Sequence, residues 1–81
     1  MTSAITAEQC RGARAMLNLR REDLAKVATV GHSTLFDFES GKRQPHPRTL
    51  DAIRAALEAA GVEFIAENGG GPGVRLRKQG A

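Results

Sequence analysis

Residues that usually stabilise very small folds or bind metals are scarce in this sequence. Its 81 residues contain one cysteine, Cys10, so an intrachain disulfide cannot form, and two histidines are too few to complete a Cys/His zinc site. Tryptophan and tyrosine are absent, and the chain has three phenylalanines. Because a chain this short buries only about 60% of its unfolded surface, we expect one small domain to which a second subunit could add stability.

Long apolar runs are absent as well. No stretch approaches the roughly 20 apolar residues that a membrane-spanning helix needs, and the first residues lack the basic-then-apolar order of a signal peptide. We therefore expect a cytoplasmic protein that uses no membrane, metal or cofactor. The formal charge of +3 and the sequence pI near 9.8 weakly favour polyanionic partners.

Helical spacing and capping residues predict four helices, over residues 7–18, 21–28, 32–39 and 47–60. Thr6 followed three residues later by Gln9 is a capping box, and Pro47 suits the first position of a helix. His46, beside two prolines, is interpreted as a loop residue. The side chains predicted to face inward are Cys10, Ala13, Arg14, Leu17, Leu24, Ala25, Ala28, Leu35, Phe38, Leu50, Ile53, Ala56 and Leu57. On that inner face the thiol is expected to act as a small apolar group rather than as a redox switch.

The last twenty residues predict a β-hairpin. Residues 62–66 alternate apolar and acidic side chains, residues 68–73 form a Gly/Pro turn, and residues 74–77 alternate apolar and basic side chains. Cross-strand ion pairs are expected between two acidic and two basic residues: Glu63, Glu67, Arg75 and Arg77. The chain is thus predicted to consist of a helical domain, 1–61, followed by a hairpin, 62–81.

Residues 21–40 fit two helices that cross steeply and are joined by a turn of three or four residues, an arrangement that needs small side chains where the helices touch. Ala25 supplies the small side chain needed where the helices touch. The sequence LRREDLAKVATVGHSTLFDFESGKRQP resembles the Cro/CI-type, or XRE-type, family of helix-turn-helix regulators, and the resemblance covers about residues 10–57. Its most specific parts are Arg14, Asp23-Leu24-Ala25, Ser33-Thr34-Leu35 and the run Glu39-x-Gly41-Lys42-x-x-Pro45.

The resemblance implies a fold and a set of residue roles. The implied fold is a mainly α, lambda-repressor-like bundle of about four helices, to which the C-terminal β-hairpin is added. The third helix would read DNA bases through His32, Ser33, Phe36 and Asp37. The residues that would bind DNA phosphates are Arg20, Arg21, Thr34, Lys42, Arg43 and Arg48. Arg14 and Glu39 would form a structural ion pair that joins the first helix to the end of the third.

Side-chain chemistry agrees with the base-reading roles. His32 and Ser33 can donate or accept hydrogen bonds on groove edges, Asp37 can accept from a cytosine amine, and Phe36 can pack on a thymine methyl group. A solvated helix surface is the plain alternative, but it explains an exposed phenylalanine poorly. Catalysis by His32 and Asp37 is not expected because no nucleophile accompanies them. The protein is therefore predicted not to be an enzyme.

Two positions depart from the family pattern. Thr29 stands in the turn where the family usually has glycine, so we expect a reshaped or strained turn. Arg20 and Arg21 stand where the family commonly has a Ser or Thr cap followed by Gln. Arginine keeps a phosphate contact but loses the cap.

Two functions are considered from the sequence. The first is a transcriptional regulator, a repressor or autoregulator, that binds an inverted-repeat operator in double-stranded DNA as a homodimer. The second is a protein-interaction module, such as an antitoxin or adaptor with a regulatory protein partner, for which DNA binding is secondary. The basic loop, together with Arg20 and Arg21 at the start of the second helix, favours the first function, because a protein that binds only other proteins would not need these cations.

The hairpin needs a packing surface, because isolated two-stranded hairpins are marginally stable in water. It could dock on the first or fourth helix of its own chain. We expect instead that an edge strand pairs with its twin across a two-fold axis and so sets the spacing of the two recognition helices. The predicted dimerisation residues are Val62, Phe64, Val74 and Leu76.

Overall fold

The computed structural model describes residues 4–78, and it contains four helices followed by an antiparallel hairpin. The elements are α1 (Ala7–Leu17), α2 (Arg21–Ala28), α3 (His32–Glu39), α4 (Pro47–Ala60), β1 (Val62–Ile65) and β2 (Gly73–Leu76). The predicted mainly helical fold with a C-terminal hairpin is confirmed. The outer ends of the two predicted units, residues 1–3 and 79–81, lie outside the described residues. Within residues 4–78 no helix has the length and apolar character needed to cross a membrane.

Local capping fixes the ends of the helices. The Thr6 side chain accepts a hydrogen bond from the Gln9 amide at 3.0 Å, and the Gln9 side chain accepts one from the Thr6 amide at 2.8 Å, so the predicted capping box is present. Asn18 adopts a left-handed conformation and ends α1 one residue earlier than predicted. His46 lies in the loop before α4, as predicted, but it also has a capping role: its Nδ1 accepts a hydrogen bond from the Arg48 amide at 3.0 Å.

The turn between α2 and α3 keeps the conformation that favours glycine. Thr29 has φ 57° and ψ 48°, in the left-handed region, and its amide bonds back to the carbonyl of Lys26 at 3.2 Å. A β-branched residue is strained in this region, at a cost of about 1–2 kcal/mol. The turn is therefore strained rather than reshaped, because the surrounding helices hold it in place.

The core takes side chains from all four helices and contains nine of the thirteen predicted to face inward, while Leu17, Ala28 and Ala56 pack against it partly buried. Its members are Ile5, Cys10, Ala13, Leu24, Ala25, Leu35, Phe38, Leu50, Ile53, Leu57 and Val62. Five of the larger side chains, Leu24, Leu35, Ile53, Leu57 and Val62, have no exposed surface. Val62 belongs to β1, so the first strand of the hairpin completes the core of the helical bundle.

The hairpin docks on α1 and α4 of its own chain, which corrects the expectation that a second subunit covers Val62. Gln9, itself buried, donates hydrogen bonds from Nε2 to the carbonyls of Ile65 and Gly73 at 3.3 and 2.8 Å, and so joins both strands to the start of α1. At Gly12 on α1, a Cβ atom would lie 3.4 Å from Cγ1 of Val74. The second strand therefore packs directly against this point of α1.

Strand pairing places four apolar side chains of the hairpin on one face. Val62 is opposite Leu76, and Phe64 is opposite Val74. Phe64 and Val74 are partly buried against the core, whereas Leu76 is 57% exposed. The edge of this face nearest Leu76 is therefore open to solvent.

A cross-strand ion pair forms between two of the four residues expected to pair. Arg75 Nε lies 2.8 Å from Glu63 Oε1 across the strands. Glu67 and Arg77, the other two residues expected to pair across the strands, have different partners. Glu67 accepts hydrogen bonds from the amides of Gly69 and Gly71 and so closes the turn, and the Arg77 guanidinium donates to the carbonyl at Glu58.

Candidate nucleic-acid interface

The outer side of α3 is the accessible surface of the helix-turn-helix segment. His32, Ser33 and Phe36 are exposed and Asp37 is half-buried, whereas Leu35 on the opposite side is fully buried. The structure therefore places the four predicted base-reading residues together on one helix, at positions that reach solvent. Their role in reading bases stays a prediction.

A backbone carbonyl fixes the basic loop to the end of α3. The carbonyl oxygen of Asp37 accepts hydrogen bonds from the amides of Lys42 and Arg43 at 2.9 and 3.3 Å. Gly41 has φ 79°, a conformation in which glycine avoids the strain of a side chain, and this lets the chain turn back on the helix. The exposed Lys42 and Arg43 are thereby held next to the predicted base-reading residues.

Other predicted phosphate-binding residues lie at the starts of helices. Arg20 precedes α2 and is exposed, and its guanidinium lies 3.1 Å from Asp23 and 3.4 Å from Glu22. Exposed ion pairs of this kind are weak, so Arg20 can exchange these carboxylates for phosphate. Arg48 is exposed in the first turn of α4, and Thr34 is half-buried in the first turn of α3.

The starts of α2 and α3 have no side-chain cap. Arg20 and Gly31 occupy the N-cap positions; the Arg20 side chain accepts no hydrogen bond from the first turn, and glycine has no side chain that could do so. The predicted loss of a cap at Arg20 is confirmed. First-turn amides and the helix dipole attract anions, but the first turn of α2 contains Glu22 and Asp23 and that of α3 contains no acidic residue, so the start of α3 is the more favourable of the two for phosphate.

Arg21 has two inward contacts that distinguish it from the other predicted phosphate-binding residues. Its Nε donates to Glu39 Oε1 at 3.0 Å, and its Cζ lies 4.9 Å from the centre of the Phe36 ring. Its side chain is only partly exposed. Part of the Arg21 guanidinium therefore holds Glu39, and its binding to phosphate stays a prediction.

Glu39 is the centre of a buried charge cluster. Its side chain is 2% exposed, and Arg14 binds it in a bidentate arrangement, with Nε 2.7 Å from Oε2 and Nη2 2.8 Å from Oε1. The Cys10 thiol donates to Oε2 at 3.1 Å, and Arg11 donates to the Glu39 backbone carbonyl. The structure thus joins Arg14 to Glu39, and it adds three partners that the sequence did not indicate.

The cluster changes the acidity of its members. Burial opposes ionisation of Glu39, but hydrogen bonds from Arg14, Cys10 and Arg21 outweigh it, so the pKa of Glu39 is lowered. Hydrogen bonding to Glu39 raises the pKa of Arg14. Burial and the hydrogen bond to Glu39 raise the pKa of the Cys10 thiol, which keeps it protonated and poorly reactive.

The lowered pKa of Glu39 predicts acid sensitivity of the fold. A carboxylate whose folded-state pKa lies below its unfolded value, about 4.3, stabilises the fold above that value and loses this effect as the pH falls through the folded pKa. Thermal melts between pH 3 and 7 should therefore show a declining free energy of unfolding below about pH 4–5, with at most about 1.4 kcal/mol per pH unit from this group. Glu39→Gln should flatten that decline. An equally steep decline in the variant would contradict the assignment.

A family comparison identifies the fold class. A family model described as helix-turn-helix matches residues 11–64, which is more than half of the chain. The chain belongs to the XRE-type helix-turn-helix family. No curated protein matches it in sequence. As a helix-turn-helix protein it is a DNA-binding regulator.

The matched region contains α2, α3 and α4 and includes the exposed cations Arg20, Lys42, Arg43 and Arg48, which are predicted to bind phosphate. It extends into β1, beyond the limit suggested by the sequence motifs. This agrees with the position of Val62 in the core of the helix-turn-helix bundle.

Proposed function

We propose that this helix-turn-helix protein represses a promoter, its own among the candidates, by binding an inverted-repeat operator as a homodimer. The observation that carries the proposal is the arrangement around α3. Its exposed outer side presents His32 and Ser33, and the Asp37 carbonyl holds Lys42 and Arg43 beside it. A helix of this kind fits the major groove, while cations at its end bind the phosphates that border the groove.

The two groups of residues divide affinity from specificity. Lys42, Arg43 and Arg48 would bind the DNA backbone, which positions the protein without reading sequence. His32 and Ser33, at the start of α3, would hydrogen-bond to base edges and select the operator. The basic loop also favours this function over an antitoxin or adaptor role, since a surface that binds only protein does not require cations fixed beside an open helix.

The proposed homodimer would form through the hairpin. Within residues 4–78 the sheet has two strands, so each strand has one side without a strand partner. Leu76 adds an exposed apolar side chain at the open end of the hairpin, on the same face as Val74. A two-fold contact through this region would bury Leu76 and pair edge strands, and it would hold two copies of α3 about 34–36 Å apart, as successive major grooves require.

Salt dependence of DNA affinity tests the proposed function. Each phosphate that a cation neutralises should contribute a slope of about −0.9 to the plot of log K against log salt concentration. Arg43→Ala should lower the affinity for all duplexes alike and make the slope shallower by about one unit per subunit. Arg54→Ala, which removes an arginine of α4 whose Cζ lies 5.6 Å from the centre of the Phe64 ring, is the matched control and should leave the slope unchanged. An affinity that does not vary between low and physiological salt would overturn the proposal.

A further inference from the structure

Phe36 lies within reach of two cations that come from different parts of the chain. The Arg21 Cζ atom lies 4.9 Å, and the Lys42 Nζ atom 5.7 Å, from the centre of its ring. Both distances fall within the roughly 6 Å over which an aromatic ring attracts a cation. The ring is 40% exposed, so it forms a half-open platform on the outer side of α3.

Each of the two residues also has a second contact, from the side chain of Arg21 and from the backbone of Lys42. Arg21 donates from Nε to the buried carboxylate of Glu39 at 3.0 Å. The backbone amide of Lys42 donates to the Asp37 carbonyl at 2.9 Å. Two flexible side chains, one before and one after α3 in the chain, are therefore restrained on the same ring.

We propose that Phe36 is a positioning residue, whose ring holds the charged ends of Arg21 and Lys42 where they meet the phosphates on either side of the groove. This inference rests on the proposed DNA-binding function and replaces base reading as the main role of Phe36. Binding to DNA immobilises such side chains, which costs conformational entropy. A ring that already restrains them in the free protein reduces this entropic cost. The effect is independent of DNA sequence, because phosphates carry no sequence information.

The test replaces Phe36 by leucine, which keeps an apolar side chain in the helix but has no aromatic face. Affinities for an operator selected from random DNA and for a scrambled duplex are measured across a range of salt concentrations. Both should weaken by about three- to tenfold, with their ratio unchanged. A series of phenylalanines with increasing ring fluorination, which keep the shape but weaken attraction for cations, should lower both affinities step by step. His32→Ala is the matched control and should change the ratio while sparing the scrambled duplex.

The outcomes separate this inference from the proposed function. If Phe36→Leu changes the preference at particular base pairs and spares the scrambled duplex, Phe36 reads bases and the inference is wrong. If wild-type protein binds with salt dependence but the leucine and fluorinated forms bind equally well, the inference alone fails. If wild-type protein shows no salt-dependent binding, the proposed function and the inference fail together. Thermal melts of each variant check that the fold is retained.

Discussion

Glu39→Ala is expected to lower the free energy of unfolding by about 3–5 kcal/mol, because it leaves the partly buried charge of Arg14 without its partner. The carboxylate is 2% exposed and the Arg14 side chain 17% exposed, so water compensates poorly for the loss. Arg14→Ala should be destabilising too. The remaining carboxylate would keep its hydrogen bonds from Arg21 and Cys10, so the loss should lie toward the lower end of the range.

The matched control is the exposed pair on the hairpin. Arg75 and Glu63 also meet at 2.8 Å, but their side chains are 68% and 43% exposed. Glu63→Ala should therefore cost no more than about 1 kcal/mol. Replacing Arg14 and Glu39 together by methionine and leucine should be milder than Glu39→Ala, since no buried charge is left unpaired. Chemical denaturation that finds Glu39→Ala and Glu63→Ala equally neutral would contradict the buried cluster.

Leu76→Lys is expected to convert the protein to a monomer and to lower its affinity for a two-half-site operator by about 100-fold or more. The added charge would meet its own copy across the proposed two-fold axis, where Arg75 and Arg77 are already basic. Coupling two binding modules raises affinity by about 10²–10⁴, and a monomer forfeits this gain. The affinity for a single half-site should stay nearly unchanged.

A point variant is a sharper test of the dimer than a truncation. Ending the chain after Gly61 would remove Val62 from the core and disturb the fold itself. Leu76 is 57% exposed, so lysine is tolerated there. Val27→Lys makes the same charge change at an exposed apolar residue of α2 and should leave the dimer intact. Light scattering that finds the wild-type protein monomeric at micromolar concentration, or Leu76→Lys still dimeric, would refute the proposed interface.

The helical part of the fold could be predicted because its signals are local. Capping by Thr6 and Gln9, helical spacing of apolar residues and the stop at Gly61 lie within a few residues of the elements that they define. The cap at His46 was missed although Pro47 marks a helix start, because histidine is not among the usual capping residues. Because proline favours the first position of a helix, the residue before Pro47 could have been identified as the N-cap from the sequence.

Long-range contacts of the hairpin and of Glu39 could not be predicted from spacing. Gln9 was identified as a capping residue, but its amide also binds strands more than fifty positions away. Alternation on the hairpin showed which side chains share a face without showing that Val62 would fill the core of its own chain. The attraction of Arg21 to both Glu39 and Phe36 likewise depends on how α2 packs beside α3.

Selection of bound duplexes from a random DNA pool, with the wild-type protein and with His32→Ala in parallel, tests the central claim most directly. We predict that the wild-type pool converges on an inverted repeat whose half-site centres lie about one helical turn, 10–10.5 base pairs, apart. His32→Ala should relax the preference at the same few base pairs in both half-sites, each worth about 1–3 kcal/mol of discrimination. A wild-type pool without any enriched repeat, or a His32→Ala pool identical to it, would contradict recognition of an operator by α3.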